Sequence, residues 1–241
     1  MTTSRRIWLT LGLVVLVALP CSAPAYGSPP GYVRLSNERT RSWSAQVQRD
    51  AWVRRRPNPR ARKVGRLRSH SFHGSPETVL VLGEVGLNDR FWFYVRYPGL
   101  GSRRGWVPDS ALSSLTRHSE RLVLDRRRLR LSLWRGKRRL FKTSVGIGAF
   151  GSPTPRGRFY IRERLGPFAN AGSIYGVLAF GTSSYSPYRT DWPGGGQVGI
   201  HGTNQPSLIP GRISNGCVRL HNTAVLRLGR RLRTGTPLLV R

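Results

Sequence analysis

The chain has 241 residues, with 41 Lys+Arg against 10 Asp+Glu and a formal net charge of +31. Its scattered carboxylates offer no tight pair for glycosidase chemistry and no cluster for calcium or magnesium. Two cysteines, Cys21 and Cys217, cannot build a cysteine-rich zinc site.

Arg5 and Arg6 precede an apolar run from Ile7 to Leu19, and Ala23-Pro24-Ala25 follows. The run is short of the ~20 residues that span a bilayer. A basic start, an apolar centre and an A-x-A end describe a secretory signal peptide over residues 1–25. Export to the periplasm or cell wall is expected, with a membrane tether as the outcome if the segment is retained. Cleavage after Ala25 lowers the charge by two and leaves Cys217 as the single cysteine. One thiol forms no internal disulfide, so it is either inert and buried or reactive. The charge points to anionic cell-wall polymers or lipid head groups and away from nucleic acid. Solvated arginine runs are the competing explanation.

Residues 26–41 are polar with Gly and Pro and are expected to be a linker. Residues 42–114 are expected to form short strands. Thr78–Leu82 and the aromatic Phe91–Val95 are the strongest, and Pro57-Asn58-Pro59 and Pro98-Gly99 are turns. Residues 119–241 form a second unit. Leu129, Leu131 and Leu133 alternate with polar or aromatic neighbours as in a half-buried strand. Leu122–Asp125 and Arg139–Val145 flank it in an antiparallel meander. Phe159–Ile161, Val177–Phe180, Val198–His201 and Thr236–Val240 are further strands. One clear helix is expected, N-capped by Asn222, with Val225, Leu228 and Leu232 on one face and an end at Gly235. The fold class is mainly β with one or two short helices.

Two stretches carry the chemistry: His201-Gly202-Thr203 and Ser214-Asn215-Gly216-Cys217-Val218-Arg219. A cysteine nucleophile needs a base, donors for an oxyanion and exposure at a cleft. His201 closes a strand, which aims its ring rigidly. Gly202 admits close approach of another segment. Gly216 permits a tight turn in which successive N–H groups converge on an oxyanion. Taken alone, a lone cysteine is more often a small buried hydrophobe. His70 and His73 have no cluster of carboxylates or thiols beside them, so no zinc is expected. Gly194–Gly196 lack a phosphate-loop pattern and read as a flexible connection. Residues 166–196 are expected to include a mobile flap carrying Tyr175 or Tyr185.

Fifteen residues separate His201 from Cys217, and Ser152–Phe159 reads S-P-T-P-R-G-R-F. These ordered motifs resemble the L,D-transpeptidases, whose catalytic domain is called YkuD-like. Residues 42–114 resemble a bacterial SH3-like domain through W-V-R-R-R-P-N-P, V-G-R-L, a Trp-containing strand and G-W-V. Such domains often bind wall components; a spacer is the alternative. Together the two resemblances imply a small β-barrel followed by a β-sandwich.

The catalytic resemblance implies Cys217 as nucleophile and His201 as base. No acid lies beside His201, so the Gly202 carbonyl is expected to orient the ring. The family commonly has His where this chain has Asn215, which leaves Asn215 as an amide donor. Ser214, Asn215 and Gly216 are expected to orient the site or supply the oxyanion hole, with a turn-forming role equally open for Ser214. Arg219 is expected to hold a stem-peptide carboxylate, and Tyr175 to contact substrate. The implied reaction forms peptidoglycan 3→3 cross-links through a Cys217 thioester with release of D-alanine. It requires no cofactor and no metal, and carbapenems are expected to acylate Cys217. An L,D-carboxypeptidase and a non-catalytic wall-binding protein of the same fold are the alternatives.

Overall fold

A computed structural model describes residues 29–87, 89–188 and 194–241, so the expected signal peptide lies outside the described residues. The first unit contains β1 (Val33–Arg34), β2 (Ser42–Gln46), β3 (Ala51–Arg54), β4 (Lys63–Leu67), β5 (Thr78–Leu87), β6 (Arg90–Arg96), β7 (Arg104–Pro108) and β8 (Thr116–His118). They form one sheet in the order β4-β3-β7-β6-β5-β2-β8, with β1 against β5.

The segment expected as a linker, residues 26–41, is packed in its described part. β1 pairs with β5, Ser36 is buried, and Glu38 bonds Arg96 at 2.9 Å. Its polar residues have structural partners: Asn37 Oδ1 accepts the backbone N–H groups of Arg39, Thr40 and Arg41. The first sheet also runs past residue 114, because β8 pairs with β2.

The second unit contains β9 (Glu120–Asp125), β10 (Arg130–Arg135), β11 (Arg138–Ser144), β12 (Gly146–Gly148), β13 (Gly157–Leu165), β14 (Ala179–Tyr185), β15 (Gln197–His201), β16 (Gly211–Ser214), β17 (Val218–Arg219), α1 (Asn222–Gly229) and β18 (Pro237–Val240). The strand order is β11-β10-β9-β18-β13-β14-β15-β17-β12-β16. Leu122, Leu131, Phe159, Phe180 and Val218, drawn from both halves of this path, share one core with Val225 and Leu228 of α1. The strands therefore close over a single interior as a sandwich. The fold is mainly β, with one α-helix among the described residues.

The β9-β10-β11 meander matches the alternation of its leucines, since Leu122, Leu124, Leu131 and Leu133 are all fully buried. Leu129 is the exception: it turns the chain at φ 48° instead of extending the strand. α1 stops at Gly229, earlier than expected, where glycine costs a helix about 1 kcal/mol relative to Ala. Leu232 still packs into the core beyond the helix end, and Gly235 (φ 86°) makes the turn before β18.

β5 accounts for its own unbroken apolar run. Val79 and Val81 enter the core of the first unit, while Leu80 and Leu82 pack on Tyr160 of β13. A strand covered on both faces has no polar side to present. The two units are joined further by charge. Arg162 Nε lies 2.7 Å from Glu77 Oε1, with both side chains buried. Glu163 accepts a hydrogen bond from Ser71 Oγ at 2.6 Å and contacts His73 Nδ1 at 3.2 Å.

Removing one partner of a buried ion pair costs about 3–5 kcal/mol, because the other is left uncompensated. Glu77→Ala is expected to lower the urea-unfolding free energy by that amount. A loss below about 1 kcal/mol would mean that the pair contributes little to the join between units.

Candidate active site

β15 and β17 run parallel, with Ile200 opposite Val218 and His201 opposite Arg219. This register brings Cys217, just before β17, alongside Gly199. The Gly199 N–H points to Cys217 Sγ at 3.4 Å. A methyl group placed on Gly199 would sit 3.6 Å from His201 Cδ2 and 3.9 Å from Cys217 Sγ. Ring and sulfur thus flank the same small space, and both line one cavity with Tyr175, Gln197, Asn215 and Arg219.

The imidazole is held as expected. His201 Nδ1 lies 2.7 Å from the Gly202 carbonyl, so Nδ1–H donates there. This tautomer leaves Nε2 as an acceptor. Tyr175 stands edge-on to the ring, with centroids 5.1 Å apart. Gly202 also matches the expected close approach: a side chain there would collide with Asn222 Oδ1 and the Gly176 backbone.

The loop before Cys217 is tied internally. Ser214 Oγ donates to the Cys217 carbonyl at 2.6 Å and accepts the Gly216 N–H at 3.2 Å. Ser214 therefore serves the turn, and the Gly216 N–H is already engaged within it. Gly216 has φ 116°, a conformation that a side chain would strain. Asn215 is exposed on the cavity wall. Arg219 gives one N–H to Gln205 Oε1 at 3.1 Å, while its Nε is buried with no partner among the described residues.

Burial makes His201 hard to protonate, and its pKa falls to about 4. The Gly202 bond opposes that shift, and the Arg219 charge adds to it. Burial also pushes the Cys217 thiol up, against smaller opposing effects of the Gly199 N–H and Arg219. Both shifts favour the uncharged form at neutral pH, thiol on Cys217 and neutral imidazole on His201.

Sequence reasoning missed three residues that hold the site. Thr154 Oγ1 accepts the Gly148 N–H at 2.9 Å and donates to the Gly216 carbonyl at 2.8 Å, clamping the cysteine loop. Thr154 stood in the T-P-R-G-R-F motif, which gave the available signal. Asn222 is the first helical residue, and its Oδ1 accepts the Thr203 N–H at 3.0 Å instead of capping α1. Gln197 lines the cavity through a network with Glu163. Tyr185, considered for a flap, is tied within the second unit: its hydroxyl accepts from Arg162, the partner of Glu77, at 2.8 Å. His73 has Glu163 beside it in space, from the other unit of the chain.

The sequence model of the L,D-transpeptidase catalytic domain, YkuD, matches residues 119–240, half of the chain. The chain belongs to the YkuD L,D-transpeptidase family, and its second unit is that family's catalytic domain. The YkuD protein of Bacillus licheniformis is 36% identical over 99 residues, covering 41% of this chain and 52% of that protein. The YkuD protein of Bacillus subtilis is 32% identical over 103 residues, covering 42% and 54%. The chain spans about half the length of these curated relatives. Among solved structures, Bd1075 of Bdellovibrio bacteriovorus is 26% identical at a TM-score of 0.41, covering 51% of this chain and 47% of that one.

A neutral thiol with a raised pKa alkylates slowly at neutral pH. The rate of Cys217 modification by iodoacetamide is expected to keep climbing as the pH rises above neutral, levelling later than for a free cysteine, because burial holds the thiol's pKa up. A rate already flat between pH 6 and 7 would contradict this.

Proposed function

We propose that the chain is a peptidoglycan L,D-transpeptidase in which Cys217 is the nucleophile and His201 the general acid and base. The observation that carries this reading is the His201 Nδ1–H bond to Gly202, which turns a bare Nε2 toward the cavity that Cys217 shares. The alternative of an inert buried thiol requires a sulfur sealed from any cavity, and Cys217 is half-buried on a cavity wall.

The donor is a tetrapeptide stem ending in D-alanine. Its carboxylate pairs with Arg219, whose buried Nε lacks a partner among the described residues. As Sγ attacks the carbonyl between the third and fourth residues, Nε2 takes the thiol proton. A neutral pair needs no prior charge separation, and the proton moves as the S–C bond forms. The Cys217 N–H, following the left-handed turn at Gly216, is the proposed oxyanion donor. The C–N bond then breaks, His201 returns the proton to the departing D-alanine amine, and a thioester remains. An amine from a second stem attacks it to form the 3→3 cross-link, and the proton passes through His201 back to sulfur. Water in place of the amine gives L,D-carboxypeptidase turnover.

The first unit is proposed to be SH3-like. Together with the net charge of +31, it is suited to a surface of anionic wall polymers. Carbapenems, as acylating analogues, are expected to add covalently at Cys217. An exported enzyme with its signal peptide over residues 1–25 fits this substrate.

Intact-protein mass spectrometry with a stem tetrapeptide and with a carbapenem tests the assignment. Wild type is expected to gain one acyl adduct, and Cys217→Ala none. His201→Ala should lose about 10²–10⁴-fold in acylation rate. Arg219→Ala should weaken tetrapeptide use more than alkylation by iodoacetamide. Retained turnover in Cys217→Ala would overturn the reading.

A further inference from the structure

A second cavity, of about 570 Å³, also reaches the sulfur. It shares Tyr175, Gln197, His201 and Cys217 with the first, but Arg219 does not line it. Its walls come from both units of the chain. Leu165, Phe168, Ala179 and Phe180 supply one side, and Phe72 and His73, from the loop between β4 and β5, supply the other.

That loop is anchored by chemistry. Ser71 Oγ and His73 Nδ1 both contact the buried carboxylate of Glu163. Glu163 Oε1 also accepts from Gln197 Nε2 at 2.9 Å. Phe72 has no such anchor. It is 68% exposed although it lines the cavity, so core packing does not explain its aromatic side chain. Gln197 Nε2 donates a second time, to the Thr182 carbonyl at 3.1 Å, which fixes the amide's orientation. Its Oε1 is then left buried with no partner among the described residues. An acceptor in that state suits an incoming N–H group.

We infer that the loop of the first unit is a wall of the acceptor site: this cavity takes a peptide bearing an aliphatic amine, and Phe72 and His73 select which peptides fit. The inference rests on the transpeptidase reading. Apolar walls suit a methylene arm. The aromatic faces of Phe72 and Phe168 suit an ammonium group on its way in. Gln197, whose buried Oε1 lacks a partner among the described residues, lines the cavity with Cys217 and could turn that oxygen to the N–H of the amine. The donor carboxylate is left to the cavity that holds Arg219. In the step served, the amine nitrogen attacks the thioester carbonyl, the C–N bond forms and the C–S bond breaks. The amine proton passes to His201 and from there to the departing sulfur.

The test is calorimetric binding of a stem peptide with a free side-chain amine and an amidated C-terminus, which gives Arg219 no carboxylate to hold. The parent is the full-length Cys217→Ala protein, with Phe72→Ala or Phe91→Ala added. Phe91 is another exposed aromatic of the first unit, 54% accessible and outside this cavity. Phe72→Ala is expected to weaken binding about tenfold, and Phe91→Ala to leave it unchanged. With Cys217 intact, Phe72→Ala should raise the KM for the acceptor and shift thioester breakdown toward hydrolysis. Equal affinity of the Phe72→Ala and parent proteins would overturn the inference. A wild-type chain that forms no thioester, yet loses amine-peptide affinity on Phe72→Ala, would end the transpeptidase reading while leaving the amine site standing.

Discussion

One hydrogen bond organises the candidate site: the Nδ1–H of His201 to the carbonyl of the next residue, Gly202. A carboxylate partner would raise the basicity of the ring and favour the imidazolium. A backbone carbonyl fixes the tautomer without adding a full negative charge. With burial and the nearby Arg219 also disfavouring protonation, the ring stays neutral well below neutral pH. The parallel register of β15 and β17 then sets the sulfur beside it. Orientation here comes from the sheet, which is stiffer than any pair of free side chains.

The strand that carries His201 and the turn that carries Cys217 meet loops that come very close. Gly176 and Gly202 leave room for the Asn222 amide, which in turn holds the Thr203 N–H. Thr154 links the β12 end to the cysteine turn. Together these contacts fix the backbone on both sides of the reactive pair. The fold contributes mainly by removing alternatives, so that a bare imidazole nitrogen and a thiol line the same cavity.

Much of this was legible in the residues. Leucines at every second position marked β9 and β10, and the His-Gly-Thr and Ser-Asn-Gly-Cys stretches marked the site. Less visible were features that depend on what comes to lie beside a residue. The polarity of residues 26–41 suggested a linker, yet the side chains of its described part bond one another and β6. Asn222 had the right residue type for a helix cap, but a backbone N–H nineteen positions earlier claims its oxygen. Desolvation of Cys217, which favours the uncharged thiol, is likewise not written in the pattern of residue types. Glu163 and His73, ninety positions apart, meet only once the two units pack.

The central claim is a resting pair without charge: thiol on Cys217, neutral imidazole on His201 with its proton on Nδ1. Nitrogen-15 NMR of the His201 ring at pH 7 addresses it most directly. The account predicts one protonated nitrogen, Nδ1, and one bare nitrogen, Nε2, with little change in Cys217→Ala. A doubly protonated ring that reverts to neutral when the sulfur is removed would contradict it.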